Sequence, residues 1–135
     1  MALPNGAGGY QLGDGNLGEL VMGYAAAPQT ATSTATLTAA QVTGGILVAN
    51  PSTSAATYTL PTASAIDAVM TSANIGSTFE LIVVNTGTSS GAVTLATATG
   101  LTDGGNAFVA VAVTSSARFT FRKTGAGAWT VYKTA

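Results

Sequence analysis

The residue types that carry most enzyme chemistry are scarce in this chain. Histidine and cysteine are both absent. There is therefore no imidazole base, no thiolate nucleophile, and neither of the softer metal ligands. Five acids remain, Asp14, Glu19, Asp67, Glu80 and Asp103, with four bases, Arg118, Arg122, Lys123 and Lys133. Serine and threonine are plentiful, but a hydroxyl becomes a nucleophile only beside a base that activates it. Lys123 and Lys133 are the two lysines available for a Ser–Lys pair, and both fall in a segment that reads as an exposed hairpin. Glu80 and Asp67 form the best carboxylate pair. Glycosidase-type work needs about 5–9.5 Å between such groups, and nothing in the spacing of these two supplies it.

Metal and phosphate sites fare no better. Calcium takes about six to eight oxygen ligands. Asp14-Gly15-Asn16 and Asp103-Gly104-Gly105-Asn106 each bring one carboxylate and no closing glutamate, so they read as turns. The glycine clusters at 6–9 and 100–105 do not join a strand to a long helix through Lys-Ser/Thr, as a phosphate loop does. The expectation is a non-enzymatic protein with no cofactor and no metal. Arg118, Arg122 and Lys123 concentrate the positive charge. Phe119 and Phe121 alternate away from the arginines and read as core, so the aromatic interleaving of a nucleic-acid site is missing. The basic cluster reads either as a solvated face or as a contact for acids on a partner.

The composition says what must position these groups. Charged residues make up 7 % of the chain, against roughly 25 % in ordinary soluble domains. The net charge of -1 offers no general pull toward nucleic acid or an acidic membrane. So little charge gives weak colloidal protection to a lone monomer and points toward assembly. No stretch approaches the roughly 20 apolar residues of a membrane span.

Residues 1–29 read as an extended Gly-rich arm. Leu3, Tyr10, Leu12, Leu17 and Leu20 stand on it as candidate contacts to a capsid or a neighbouring subunit, with Arg118, Arg122 and Lys123 as candidates on the domain. Residues 30–135 read as one mainly-β domain. Thr30, Thr32, Thr34, Thr36 and Thr38 alternate as one strand face. That single rank is an ordinary Thr-rich strand and not an ice-binding array. ILVA (46–49) and TYTL (57–60) look like a hairpin. TAAQ (38–41) offers one helical turn capped by Thr38, and Thr62 to Ser72 is the only convincing helix, with Thr62 as its cap and Ile66, Val69 and Met70 on a stripe. Strands follow at 79–85, 92–97, 107–113, 117–123 and 129–133. The first of these is apolar on both sides, as in a strand buried on both faces. Trp129 and Val131 share a face and read as core. About eight short strands with one helix predict a β-sandwich or jelly-roll-like domain, with no fixed-period repeat.

The segments TLTAAQVTGGILV (36–48), YTLPTASAIDAVM (58–70), FELIVVNTGT (79–88), VTLATATGLT (93–102) and RFTFRKTGAGAWTVYK (118–133) resemble, in texture and order, the small head decoration or cement proteins of tailed bacteriophages. The resemblance implies a non-catalytic β-domain on the virion exterior. Such a domain binds the major capsid protein, commonly as a homotrimer, and strengthens the shell. The alternative is a phage fibre or tail adhesion module, which predicts Trp129, Tyr132 or Tyr58 at an exposed cleft.

Overall fold

The computed structural model describes residues 25–135. Nine strands and two helices appear among them. In chain order they are β1 (Gln29–Ala31), β2 (Ala35–Thr36), α1 (Ala39–Thr43), β3 (Ile46–Ala49), β4 (Ala56–Thr59) and α2 (Ala63–Val69). Then come β5 (Thr78–Asn85), β6 (Val93–Ala96), β7 (Leu101–Gly105), β8 (Ser116–Gly125) and β9 (Ala128–Lys133). One sheet has the order β1-β3-β5-β8-β9-β7 and the other β2-β4-β6.

The chain winds as a coil. β1, β3 and β5 lie parallel in the larger sheet, and each hands the chain to β2, β4 or β6 in the smaller one. Gln29 aligns with Leu47 and Leu47 with Val83, while Ala35 aligns with Tyr58 and Tyr58 with Leu95. A parallel neighbour needs a crossover to bring the chain back. α1 and α2 serve as the first two returns. Each starts on a threonine cap. The Thr38 hydroxyl accepts from the Gln41 N–H at 3.2 Å, and the Gln41 side chain accepts from the Thr38 N–H at 2.9 Å. The Thr62 hydroxyl accepts from the Ala65 N–H at 3.2 Å. The third return leads into β7. That strand does not pair with β5, because the β8–β9 hairpin lies between them: β8 runs antiparallel to β5, β9 antiparallel to β8, and β7 parallel to β9.

The core fills the space between the two sheets. Trp129, Tyr58, Phe119, Phe121, Leu47, Leu60, Ile66, Leu81, Val83 and Leu95 are fully or almost fully buried. A large aliphatic or phenyl side chain contributes about 1.5–3 kcal/mol when so placed. Phe79 stacks on Phe121 with ring centroids 4.7 Å apart and meets Trp129 edge-on at 5.3 Å.

The mainly-β class is as expected, but the pairing differs. A jelly roll is built from antiparallel Greek keys, whereas five of the seven strand pairs among the described residues are parallel. The segments 46–49 and 57–60 are not a hairpin, since β3 and β4 belong to different sheets. The threonine run is not one strand either. It bends between β1 and β2, where the chain turns the corner from one sheet to the other. Residues 107–113 form an irregular crossing in place of a strand. The Asp103 carboxylate accepts from the Gly105 and Ala107 N–H groups and turns the chain, and Val111 alone pairs, bridging to Val93. The longer helix stops at Val69, and of its predicted stripe Ile66 is buried while Val69 is 51 % exposed.

Asn85, at the end of β5, is the one buried polar side chain among the described residues. Its amide nitrogen donates toward the carbonyls of Gly91, Val111 and Ala112 at 2.9–3.0 Å, and its oxygen accepts from the Gly87 N–H at 2.8 Å. One side chain thus joins the β5–β6 turn to the 107–115 crossing. Replacing it by alanine strands several buried backbone groups. Asn85→Ala is expected to lose about 2–4 kcal/mol of stability in urea denaturation. A loss below about 1 kcal/mol would show that water takes over those bonds.

Candidate interaction face

Three of the residues with chemical potential meet at one end of the sandwich. Asp67 lies on α2 and faces the β8–β9 hairpin. Its Oδ1 accepts from Lys123 Nζ at 2.9 Å and from Trp129 Nε1 at 2.8 Å, while Oδ2 accepts from the Gly127 N–H at 2.7 Å. The Lys123 ammonium also stands 5.8 Å from the centre of the Trp129 ring. A buried indole needs an acceptor for its N–H, and Asp67 supplies it. Hydrogen bonds from Lys123, Gly127 and Trp129, in that order of weight, hold the carboxyl down at about 2, below its ordinary 3.8. The Asp67 side chain is 22 % exposed and that of Lys123 13 %. This is a fastening between helix and hairpin, with three donors already held by the two carboxylate oxygens.

The opposite surface of the larger sheet is built differently. Strand alternation decides which side chains face outward. On β3, Leu47 and Ala49 are buried, so Ile46 and Val48 point out. On β5, Leu81 and Val83 point in, and Glu80, Ile82 and Val84 point out. On β8, Ala117, Phe119 and Phe121 point in, and Arg118, Thr120 and Arg122 point out. Register then arranges the outward residues in rows. Thr30, Val48, Val84 and Ser116 form the first, and Ile46, Ile82 and Arg118 the second. Glu80, Thr120 and Tyr132 form the third, and Thr78, Arg122 and Thr130 the fourth.

Ile46, Val48, Ile82 and Val84 therefore make a compact aliphatic block, each half-buried, with Arg118 beside it and Arg122 beyond. Past Val84 the first row opens into a shallow depression of about 400 Å³, lined by Val84, Asn85, Thr86, Thr114, Ser115 and Ser116. The ion pair between described residues is the one at Asp67, so Glu80 does not neutralise either arginine. A surface of branched aliphatics with two guanidiniums suits an apolar partner that carries acids.

Arg118 and Arg122 thus lie on this face and are exposed, as expected. Lys123 does not join them. It sits at an inward position of β8 and belongs to Asp67, so the three bases are not one cluster. Nor do Glu80 and Asp67 pair, because they lie on opposite sides of the sheet. Leu3, Tyr10, Leu12, Leu17 and Leu20 lie outside the described residues. Trp129 and Tyr58 are fully buried, the latter donating its hydroxyl to the Thr32 carbonyl at 2.8 Å; burial pushes that phenol up. Tyr132 is half-buried on the outward face. Two structural roles escaped sequence reasoning. Asp67 had a usable signal, since a buried Trp129 calls for an acceptor. Asn85 had a weaker one, an amide closing an apolar strand before Thr-Gly. The chain matches no protein-family model, no curated protein and no solved structure.

The Asp67 fastening carries a pH signature. Its folded-state pKa lies below the unfolded one, so its contribution is complete above about 3.8 and fades as pH falls toward about 2. Thermal melts of the native chain and Asp67→Asn are expected to differ most near neutrality and to converge near pH 2. A gap independent of pH would mean that the charge of Asp67 is not what fastens the helix.

Proposed function

We propose that this chain is a non-catalytic structural protein that works as part of a larger assembly, with the outward face of the six-stranded sheet as an assembly contact. The observation that carries this reading is the aliphatic block of Ile46, Val48, Ile82 and Val84 set beside Arg118 and Arg122. A lone domain gains nothing by leaving such a block half open, and the low charge of the whole sequence points the same way. The form of assembly follows from the resemblance, which covers about residues 30–135. In this reading the chain decorates the exterior of a phage capsid, self-associates as a homotrimer, binds the major capsid protein and strengthens the shell.

The mechanics need no catalysis. Packaged genome strains a capsid at its seams. A trimer that bridges several shell subunits adds buried area where the shell is weakest, and its contacts share an effective concentration, so weak sites sum to lasting occupancy. The adhesion alternative calls for aromatic rings at an open cleft. With Trp129 and Tyr58 in the core, only Tyr132 of the three is placed to serve it. Among the described residues no helix is long and apolar enough to cross a membrane.

Copy number tests the reading directly. Quantitative mass spectrometry of purified particles is expected to find this chain in numbers comparable to the major shell protein. A few copies per particle would transfer it to a fibre or tail, and absence from particles would end the decoration reading.

A further inference from the structure

Resting on the assembly reading above, we propose that the outward face of the six-stranded sheet pairs with the same face of a second copy about a two-fold axis, with Glu80 of each copy set against an arginine of the other.

The face carries both signs of charge, and neither is used within the described residues. Glu80, Arg118 and Arg122 are all exposed. Glu80 aligns with Thr120, so the two arginines flank it on the neighbouring strand, two residues to either side. Such diagonal neighbours stand about 7–8 Å apart. No ion pair closes that gap, since the one between described residues joins Lys123 to Asp67. The other bases are turned elsewhere. Lys123 is held on the inner side of the sheet, and Lys133, at an inward position of β9, extends toward the Ala110 carbonyl at 3.4 Å. Residues 1–24 contain no lysine or arginine, so the chain's own N-terminal part has no basic side chain to offer Glu80. A second copy brings both signs at once, an arginine to Glu80 and a Glu80 to the arginine. An isologous contact needs that self-complementarity, because each of its residue pairings occurs twice.

The aliphatic block fits the same axis. Ile46, Ile82 and Arg118 share one outward row, and Glu80 lies two residues before Ile82 on β5. With strands about 4.8 Å apart and residues about 3.4 Å apart, the axis that exchanges Glu80 with Arg118 also passes between Ile46 and Ile82. The two isoleucines of one copy then lie on those of the other, so the apolar contact and the ion pairs close together. The contact is small. Five strands and four outward rows cover about 19 Å by about 20 Å at those spacings. That is the low end for a specific interface, so the pairing is weak. A face that meets itself closes as a pair. In a homotrimer it therefore joins two trimers, and the seam within each trimer lies on another surface.

Sedimentation equilibrium of the full chain, from micromolar to submillimolar concentration, tests the contact. The native protein is expected to double its mass as concentration rises. Glu80→Arg should weaken that doubling about tenfold or more, and so should Arg118→Glu with Arg122→Glu, because like charges then meet across the axis. Mixed in equal amounts, the two variants should associate one-to-one to within a few-fold of native, since the basic face of one meets the acidic face of the other. Rescue between separate chains distinguishes this contact from a damaged fold and from any cover the chain supplies to itself. A native protein that stays at one mass, unchanged association in either variant, or no rescue on mixing would overturn the inference. Copy number in particles is read independently. Paired chains absent from particles sink the decoration reading alone, and particle-bound chains that never pair sink this contact alone.

Discussion

Two parallel strands cannot be joined by a tight turn, because the chain must first travel back to the end where it started. Most of this architecture answers that constraint. β1, β3 and β5 run the same way in one sheet, and β2, β4 and β6 run the same way in the other. Every crossing from sheet to sheet is therefore followed by a return along a third side. α1 and α2 are those returns, which explains why both are short and why both open on a threonine placed just after the smaller sheet. The coil leaves the larger sheet with a free flank beyond β5, and the β8–β9 hairpin fills it.

The central strand β5 is secured near both ends by a single polar side chain doing several jobs. Near its start, Asp67 joins α2 to Lys123, Gly127 and Trp129 of the hairpin that pairs with β5. At its end, Asn85 joins the turn after β5 to the crossing that follows β7. Asn85 is buried, where an unpaired polar group is costly, and the partly exposed Asp67 holds three donors at once, so each favours one arrangement of the elements it touches. Between these two points the inner face of the strand packs the core. Its outer face is only partly covered.

What was legible in the sequence follows the range of the physics involved. Alternation is local, so the strands at 79–85, 117–123 and 129–133 could be read directly, as could the inward aromatics of β8 and the burial of Trp129. Threonine caps are local too, and Thr38 and Thr62 stand where expected. Strand partnership is not local. ILVA and TYTL have the turn-rich spacing of a hairpin, yet each finds a parallel partner elsewhere, because a six-residue connection can turn a corner between sheets as well as reverse a strand. AFVAVAV has a strand's composition but lacks a continuous partner, and pairing decides the outcome. The two-sided apolarity of β5 was visible in the sequence. Its meaning was not, since one side is filled by the chain itself and the other is only half covered. Lys123 shows the same limit: its neighbours in sequence suggest an exposed basic cluster, and one step of strand alternation puts it with Asp67.

The hairpin inserted between β5 and β7 also bears on how the molecule forms. β5 begins at Thr78, yet its antiparallel partner, β8, does not begin until Ser116. On a ribosome the parallel coil emerges first, with one edge of its larger sheet open and Trp129 still unmade. Pairings this distant in sequence give slow folding, on the order of milliseconds to seconds, and the nascent coil passes through an interval with an unprotected strand edge. The chain would then meet its greatest aggregation hazard before its last two strands are in place. The solubility of its folding intermediates, more than the stability of the finished domain, would set how much of it a cell can supply.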